Sequence, residues 1–356
     1  MRIQQLSGLE RVFKNLLLNT FVMFKSPAKS GDIPALTPED TVVFIRLHKI
    51  GDALVSTAGI KALKEKYGCK VIVIADKRNW FVFHKHPFVD EVVIYKKGLK
   101  GMMQTAAAVN AHHPVALVNL HDRPTTTGSI LTGLIDARYK LSVYDESNSK
   151  LFSHTVPMPD PLKHHVVERM AASLEPLGIT KNDSWNVVFE PSKEAKEKAE
   201  AFIRNLYPEG TRVVGVNISA GSRARYWGHE NFRKLINWLE KANLHYILIC
   251  AKDDLDLASQ IVEEKYISCS ESFEVFGAMI QKVDLLFTPD TSAVHLASAS
   301  HVPVFGLYVR ESEGYKNWNP YKSEYEWIIN PQLITETGFD ELSDKFEQFV
   351  QRVLFY

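Results

Sequence analysis

TVVFIRLHKIGDALVSTAGIKALKEKYG, residues 41–68, decides the fold: an apolar strand gives way to a short polar loop, and an Asp opens the helix that follows. This order predicts a strand-loop-helix unit of an open α/β sheet, with Asp52 at the strand's C-terminal end. In such sheets the ligand crevice lies outside that edge, so a carboxylate there can meet a substrate while the strand beneath holds it still. The competing reading is an N-cap, in which Asp52 satisfies unpaired N–H groups of the helix start.

VDLLFTPDTSAVHLASASHVPVFGLY, residues 283–308, repeats the grammar: apolar strand, Asp290, the small-residue helix start Thr291-Ser292-Ala293, a short helix and another apolar strand. Exposed N–H groups and the positive end of the helix dipole suit a diphosphate, and small side chains let phosphates approach the backbone. His295 falls about one turn further in. The plainer alternative has Asp290 as a cap and His295 as packing.

Outward from these two segments the chain alternates. VVFIRL, KVIVIA (70–75), EVVIYK (91–96) and VALVNL (115–120) are short apolar runs separated by helix-length segments, and after KNDSWN the pattern resumes with RVVGVNIS, HYILICA, DLLFTP and VPVFGLY. Such alternation predicts mainly parallel sheets with helices on both faces. The expected organisation is an N-terminal amphipathic helix and linker (1–38), a Rossmann-like domain (39–185), a second Rossmann-like domain (186–335) facing the first across a cleft, and a closing helix (336–356) that packs back on the first domain.

Length and composition agree. With 356 residues, 45% of them hydrophobic, the chain can fill two cores. Zero formal net charge argues against nucleic acid as the main partner. Cys69, Cys250 and Cys269 show neither metal-ligand spacing nor a disulfide framework, which points to a reducing compartment. In residues 1–26, Leu6, Leu9, Phe13, Leu16, Leu17, Phe21 and Phe24 recur at helical spacing opposite Arg2, Arg11 and Lys14. That pattern suits a helix lying in a membrane interface and is too short an apolar run to span. Two alternatives are a helix packed on the protein's own surface and a signal peptide, the latter opposed by Glu10, Lys25 and the lack of a small-x-small cleavage site.

RLHKIGDALVSTAGIKAL and PDTSAVHLASASHVPVFGLY together resemble glycosyltransferase family 9, the heptosyltransferases of the lipopolysaccharide inner core. HHVVERMAASLEPLGI (164–179) resembles the helix before the family's interdomain crossing, and VVGVNISAGSRARYWGHENFRKLINWL (213–239) the first unit of its donor domain. The resemblance implies a GT-B type fold and an inverting, metal-independent transfer of heptose from ADP-heptose to a lipopolysaccharide core or related acceptor. It implies no cofactor, and action in the cytoplasm or at the inner face of the cytoplasmic membrane, where the amphipathic pattern of residues 1–25 would supply a peripheral contact.

Sugar transfer needs a base for the incoming hydroxyl, charge stabilisation for the leaving diphosphate, and exclusion of water. Asp52 is the expected base. Arg225 matches a basic residue that the family carries two positions before the Trp matched by Trp227, and a guanidinium can grip two phosphate oxygens; Arg223 is its neighbour and substitute, and an ordinary surface Arg the plainer reading. Ser219, Gly221 and Ser222 follow strand RVVGVNIS and could add donors, with Thr291 and Ser292 as the other half of the cradle. By resemblance, Asp290 accepts hydrogen bonds from the donor sugar. On the acceptor side, Asn119, His121, Asp122 and Arg123 close strand VALVNL, while Arg46, His48 and Lys49 surround the base and make the mouth cationic for a phosphorylated, lipid-linked sugar.

Two turns depart from the family pattern, CAKDDLDLA and Leu307-Tyr308-Val309-Arg310. Asp254-Leu255-Asp256 has the look of a metal-binding triplet but reads better as first-turn acids favoured by a helix dipole. Two other functions suit the same architecture: a sugar-nucleotide epimerase, which would convert donor without acceptor, and a non-catalytic sugar-nucleotide binder.

Overall fold

The computed structural model describes residues 20, 22–23, 31–121, 125–144, 146–147, 149–270, 272–309 and 318–355. The amphipathic pattern of residues 1–26 lies almost wholly outside the described residues; Val22, which is described, packs with Leu151 and Phe152. The chain divides into two units, Met1–Asn186 and Val187–Tyr356.

The first unit holds six parallel strands: β1 (Thr41–Ile45), β2 (Lys70–Ala75), β3 (Glu91–Ile94), β4 (Ala116–Asn119), β5 (Tyr139–Val143) and β6 (His154–Val156), in the order β3-β2-β1-β4-β5-β6. Strand β1 is wholly buried because helices cover both faces of the sheet, which explains its unbroken apolar run. Helix α1 (Ile50–Tyr67) leaves the end of β1 and stops at Gly68, whose φ of 65° is the left-handed conformation that a side chain would oppose. Helices α2 (Gly98–Asn110) and α3 (Thr126–Leu134) cover the opposite face, burying Met102, Ala106, Val109, Ile130 and Leu131 against Val43, Ile45 and Leu117. Helix α4 (Val166–Ala171) packs on α1. The helical turn that follows α4 comes so close that a Cβ on Gly59 would stand 2.7 Å from a Leu174 methyl.

The second unit repeats the plan. Strands β7 (Val213–Asn217), β8 (His245–Ala251), β9 (Ile267–Ser270), β10 (Leu285–Pro289), β11 (Val304–Val309) and β12 (Tyr325–Asn330) are again all parallel, in the order β12-β11-β10-β7-β8-β9, the same winding as the first sheet. Its helices include α5 (Lys193–Leu206), α6 (His229–Lys241), α7 (Phe273–Ile280), α8 (Ser292–Ala299) and α9 (Phe339–Leu354). The closing helix α9 belongs to this unit's core rather than to the first domain, because its apolar stripe meets an aromatic cluster there. Phe287 and Phe305 stack at 5.4 Å, and Phe346 of α9 stands edge-on to them at 5.4 and 5.0 Å. Trp227 is fully buried in the same cluster and donates its indole N–H to the Thr337 carbonyl at 2.7 Å.

Among the described residues, no helix is long and apolar enough to cross a membrane.

Candidate active site

In the first unit, Asp52 sits in the first turn of α1, at the C-terminal edge of the sheet. It is not the cap: Lys49 occupies that position, without a side-chain capping bond, and is exposed. What holds Asp52 is Arg46. One guanidinium nitrogen lies 3.0 Å from Asp52 Oδ2, Nε donates to the Asp52 carbonyl at 3.2 Å, and Nη1 donates to the Leu120 carbonyl at 2.8 Å. Arg46 is 1% exposed while the Asp52 side chain is 19% exposed. The arginine expected at the mouth therefore stands behind the carboxylate, tying the end of β4 to the start of α1.

His121 corrects the expectation in the same way. It is buried, and its Nε2 accepts the Leu47 N–H at 3.4 Å, so the ring proton sits on Nδ1, 2.7 Å from Asn119 Oδ1. Asn119 also receives the His121 N–H at 3.2 Å. Gly128 of α3 leaves room for this pair, since a Cβ there would lie 3.3 Å from the Asn119 amide nitrogen and 3.5 Å from His121 Nδ1. Burial, reinforced by the Arg46 charge and by His48, holds the His121 pKa well below its ordinary value of 6.5. Asp122 and Arg123 lie outside the described residues.

His48 is partly exposed and adopts φ 81°, a strained conformation for a side chain of this size. Its N–H donates to Asp76 Oδ2 at 3.2 Å, and its Nδ1 lies 2.6 Å from Arg78 Nη2. Burial, then the Arg78 charge, lowers its pKa. Asp76 directly follows β2 and is the hub of this loop, taking hydrogen bonds from the Arg78 N–H at 2.7 Å and its guanidinium at 3.0 Å. Burial works to raise its pKa, but these bonds prevail and the carboxyl lies below its usual value. Asn79 links the same loop to β1 by donating to the Arg46 carbonyl at 3.1 Å. Asp76 and Asn79 escaped the sequence reading, although an Asp directly after the apolar run KVIVIA is the signal that singled out Asp290.

The neutral His121 sets a pH dependence. Below about 6.5 the unfolded chain takes up a proton that the folded chain refuses, so stability is complete above that pH and declines as pH falls. The expected slope for this group is up to about 1.4 kcal/mol per pH unit. Melting temperatures measured from neutral to mildly acid pH will show it, and His121→Gln will flatten the acid side; an unchanged slope in that variant assigns the effect to other groups.

In the second unit, Asp290 follows β10, and Thr291 rather than Asp290 caps α8, accepting the Ala293 N–H at 3.3 Å. Arg225 comes to Asp290: its Nε is 3.6 Å from Oδ2 and its Nη1 donates to the Asp290 carbonyl at 3.4 Å. Both side chains remain about a quarter exposed, at 26% and 22%. Ser292 begins the helix, and His295 lies one turn in, buried, with its ring 5.8 Å from that of Trp318. Ser219 is engaged inside the fold, since its hydroxyl donates to Asp254 Oδ2 at 2.5 Å and accepts the Ala251 N–H at 2.8 Å. Gly221 and Ser222 are exposed, and a Cβ on Gly221 would meet no atom within 4 Å. Asp254 is the cap of the short helix Leu255–Ala258 and Asp256 lies in its first turn. Among the described residues no group of three His, Cys, Asp or Glu could hold a metal ion.

Beneath these groups lies Asn217, fully buried at the end of β7 and also missed in the sequence. Its amide nitrogen reaches Thr288 Oγ1 at 2.8 Å, the Ser219 carbonyl at 3.3 Å and Thr291 Oγ1 at 3.4 Å, while its oxygen accepts the Ser219 N–H at 3.1 Å. One amide thus joins the loop after β7 to the start of α8. The sequence signal was an Asn inside an otherwise apolar strand, VVGVN.

Each unit therefore offers a polar helix start at the C-terminal edge of a doubly wound parallel sheet, the edge at which such sheets bind ligands. Residues 126–344 match the model of glycosyltransferase family 9 (heptosyltransferase), and the chain belongs to that family. It is similar to lipopolysaccharide heptosyltransferase 3 of Escherichia coli K12, with 25% identity over 298 residues covering 78% of this chain and 83% of that one. Among solved structures it resembles a family 9 glycosyltransferase from Veillonella parvula (TM-score 0.77, 17% identity, covering 90% of this chain and 100% of that one). It also resembles the E. coli heptosyltransferase WaaC with ADP-2-deoxy-2-fluoro heptose (TM-score 0.68, 15% identity, 86% and 99% covered). The protein is a glycosyltransferase with the two Rossmann-like domains of the GT-B type.

Proposed function

We propose that this glycosyltransferase moves heptose from ADP-heptose to a lipopolysaccharide core or related glycan acceptor, inverting the anomeric centre and using no metal. The observation that carries this reading is Asp52, gripped on Oδ2 by Arg46 while its side chain stays 19% exposed and so open to an acceptor hydroxyl. In one displacement the acceptor oxygen bonds to the anomeric carbon as the bond to the diphosphate breaks. Asp52 takes the hydroxyl proton, and ADP leaves with the electron pair. Arg225, Thr291 and Ser292 bind the diphosphate, with Gly221 and Ser222 on the opposite loop and Asp290 on the sugar. His295 would support the nucleotide end. Exposed Lys49 and half-exposed His48 face the acceptor; Arg46 and His121 serve it only by holding the loops. The names of the E. coli relative and of the WaaC complex support the acceptor and donor respectively. The proposed place of action is the cytoplasm, at the inner membrane face.

A thermal-shift panel of ADP-heptose against UDP- and GDP-sugars tests the donor. ADP-heptose is expected to raise the melting temperature most, and Arg225→Ala to weaken its binding about 10- to 100-fold, the loss of charge-assisted hydrogen bonds worth about 1.5–3 kcal/mol. Transfer is expected to continue undiminished in EDTA. Stabilisation by a different sugar nucleotide, turnover of donor without acceptor, or a need for added manganese overturns the corresponding part of the reading.

A further inference from the structure

We infer that the start and outer face of α2 form a docking surface for an anionic phospholipid bilayer. On this helix Leu99 and Met103, one turn apart and on the same face, are 65% and 57% exposed, and Ile94 at the end of the adjoining strand is 39% exposed. Beside them stand Lys96, Lys97 and Lys100, all exposed and without an ion-pair partner among the described residues. The helix sequence GLKGMMQTAAAVN contains no acidic residue.

This composition breaks a local rule. Lys97 is the cap of α2 and Lys100 lies in its first turn, where the positive end of the dipole favours acids and opposes cations. The segment is nevertheless held firmly. The Lys96 N–H donates to Thr105 Oγ1 at 3.3 Å, and a Cβ on Gly101 would stand 2.3 Å from the Lys96 carbonyl, so the loop lies directly on the helix. Cations on a firmly held backbone around exposed apolar side chains match a bilayer interface, where lysines meet anionic headgroups while Leu and Met enter the acyl boundary. A soluble anion would leave Leu99 and Met103 without a role.

The surface is also placed for use. Because every strand of the first sheet runs the same way, Lys97 after β3, Lys77 after β2 and Lys49 after β1 follow one another along the edge that carries Asp52. A bilayer against α2 would thus lie beside the edge at which a lipid-linked acceptor is proposed to bind. The surface itself is inferred independently of the sugar reading.

The test uses the full chain with an environment-sensitive fluorophore on Met103→Cys, wild-type protein treated alike as background, and vesicles of equal parts phosphatidylglycerol and phosphatidylcholine. The expected result is a blue shift on these vesicles and none on pure phosphatidylcholine. The triple variant Lys96→Gln/Lys97→Gln/Lys100→Gln should lower vesicle partitioning about 100-fold, at about fivefold per lysine. Leu99→Ser in the labelled protein should reduce the shift. A label that stays in water overturns the inference, whether the protein floats through another segment or does not float at all; so does an unchanged shift in the triple variant. No nucleotide sugar is present, so failure here leaves the transferase reading standing, and failure of the donor panel leaves this surface standing.

Discussion

Asp52→Asn will keep donor affinity and lower the transfer rate by about 10²- to 10⁴-fold, the range for removing a general base. Asparagine has the shape of aspartate and can still offer an oxygen to the Arg46 guanidinium, 3.0 Å away in the native protein, so the loop keeps its form while the proton acceptor is lost. Calorimetry with ADP-heptose and chromatographic measurement of released ADP separate the two effects. A variant with near-native turnover would remove Asp52 from the chemistry; one that lost donor binding as well would show that the first unit is needed to hold the nucleotide sugar.

Arg46→Met is expected to destabilise the first unit by about 3–5 kcal/mol, the usual cost of breaking a buried ion pair by deleting one member. The substitution leaves the Leu120 carbonyl, otherwise bonded at 2.8 Å, and the Asp52 carboxylate without their guanidinium partner. For a domain of this size the melting temperature of its own transition should fall by roughly 6–20 °C. The two units need not melt together, so scanning calorimetry is the suitable measurement. Arg46→Lys should recover only part of the loss, because an ammonium cannot reach both sides of the fork at once. A fall of less than about 1 kcal/mol would mean that the pair contributes no more than a surface salt bridge.

Strands β1 to β4, β7, β8, β10 and β11 were legible because helices cover both faces of each sheet, which leaves nearly continuous apolar runs. Strands β5, β6, β9 and β12 were not. YKLSV, HTV, ISCS and YEWIIN mix polar with apolar residues, and three of the four lie at a sheet edge, where one side needs no apolar cover. The candidate site shows a different limit. Asp52 and Asp290 announce themselves by following an apolar strand, but the direction in which a neighbouring polar side chain turns depends on partners far away in sequence. Arg46 reaches a carbonyl at position 120, and His121 an N–H at position 47, so the mouth cation and acceptor ligand of the linear reading are internal struts. Asn217 binds hydroxyls at 288 and 291, a distance no local pattern spans.

The aromatic nest around Phe287 and Phe305 is finished by a segment that begins at Phe339, well after both strands have been made. During synthesis, the second unit must therefore wait with one greasy flank uncovered until Phe346 and Phe349 emerge. Chains interrupted before that point would leave the flank open to water and prone to association, so the fold of the second unit depends on α9 being made.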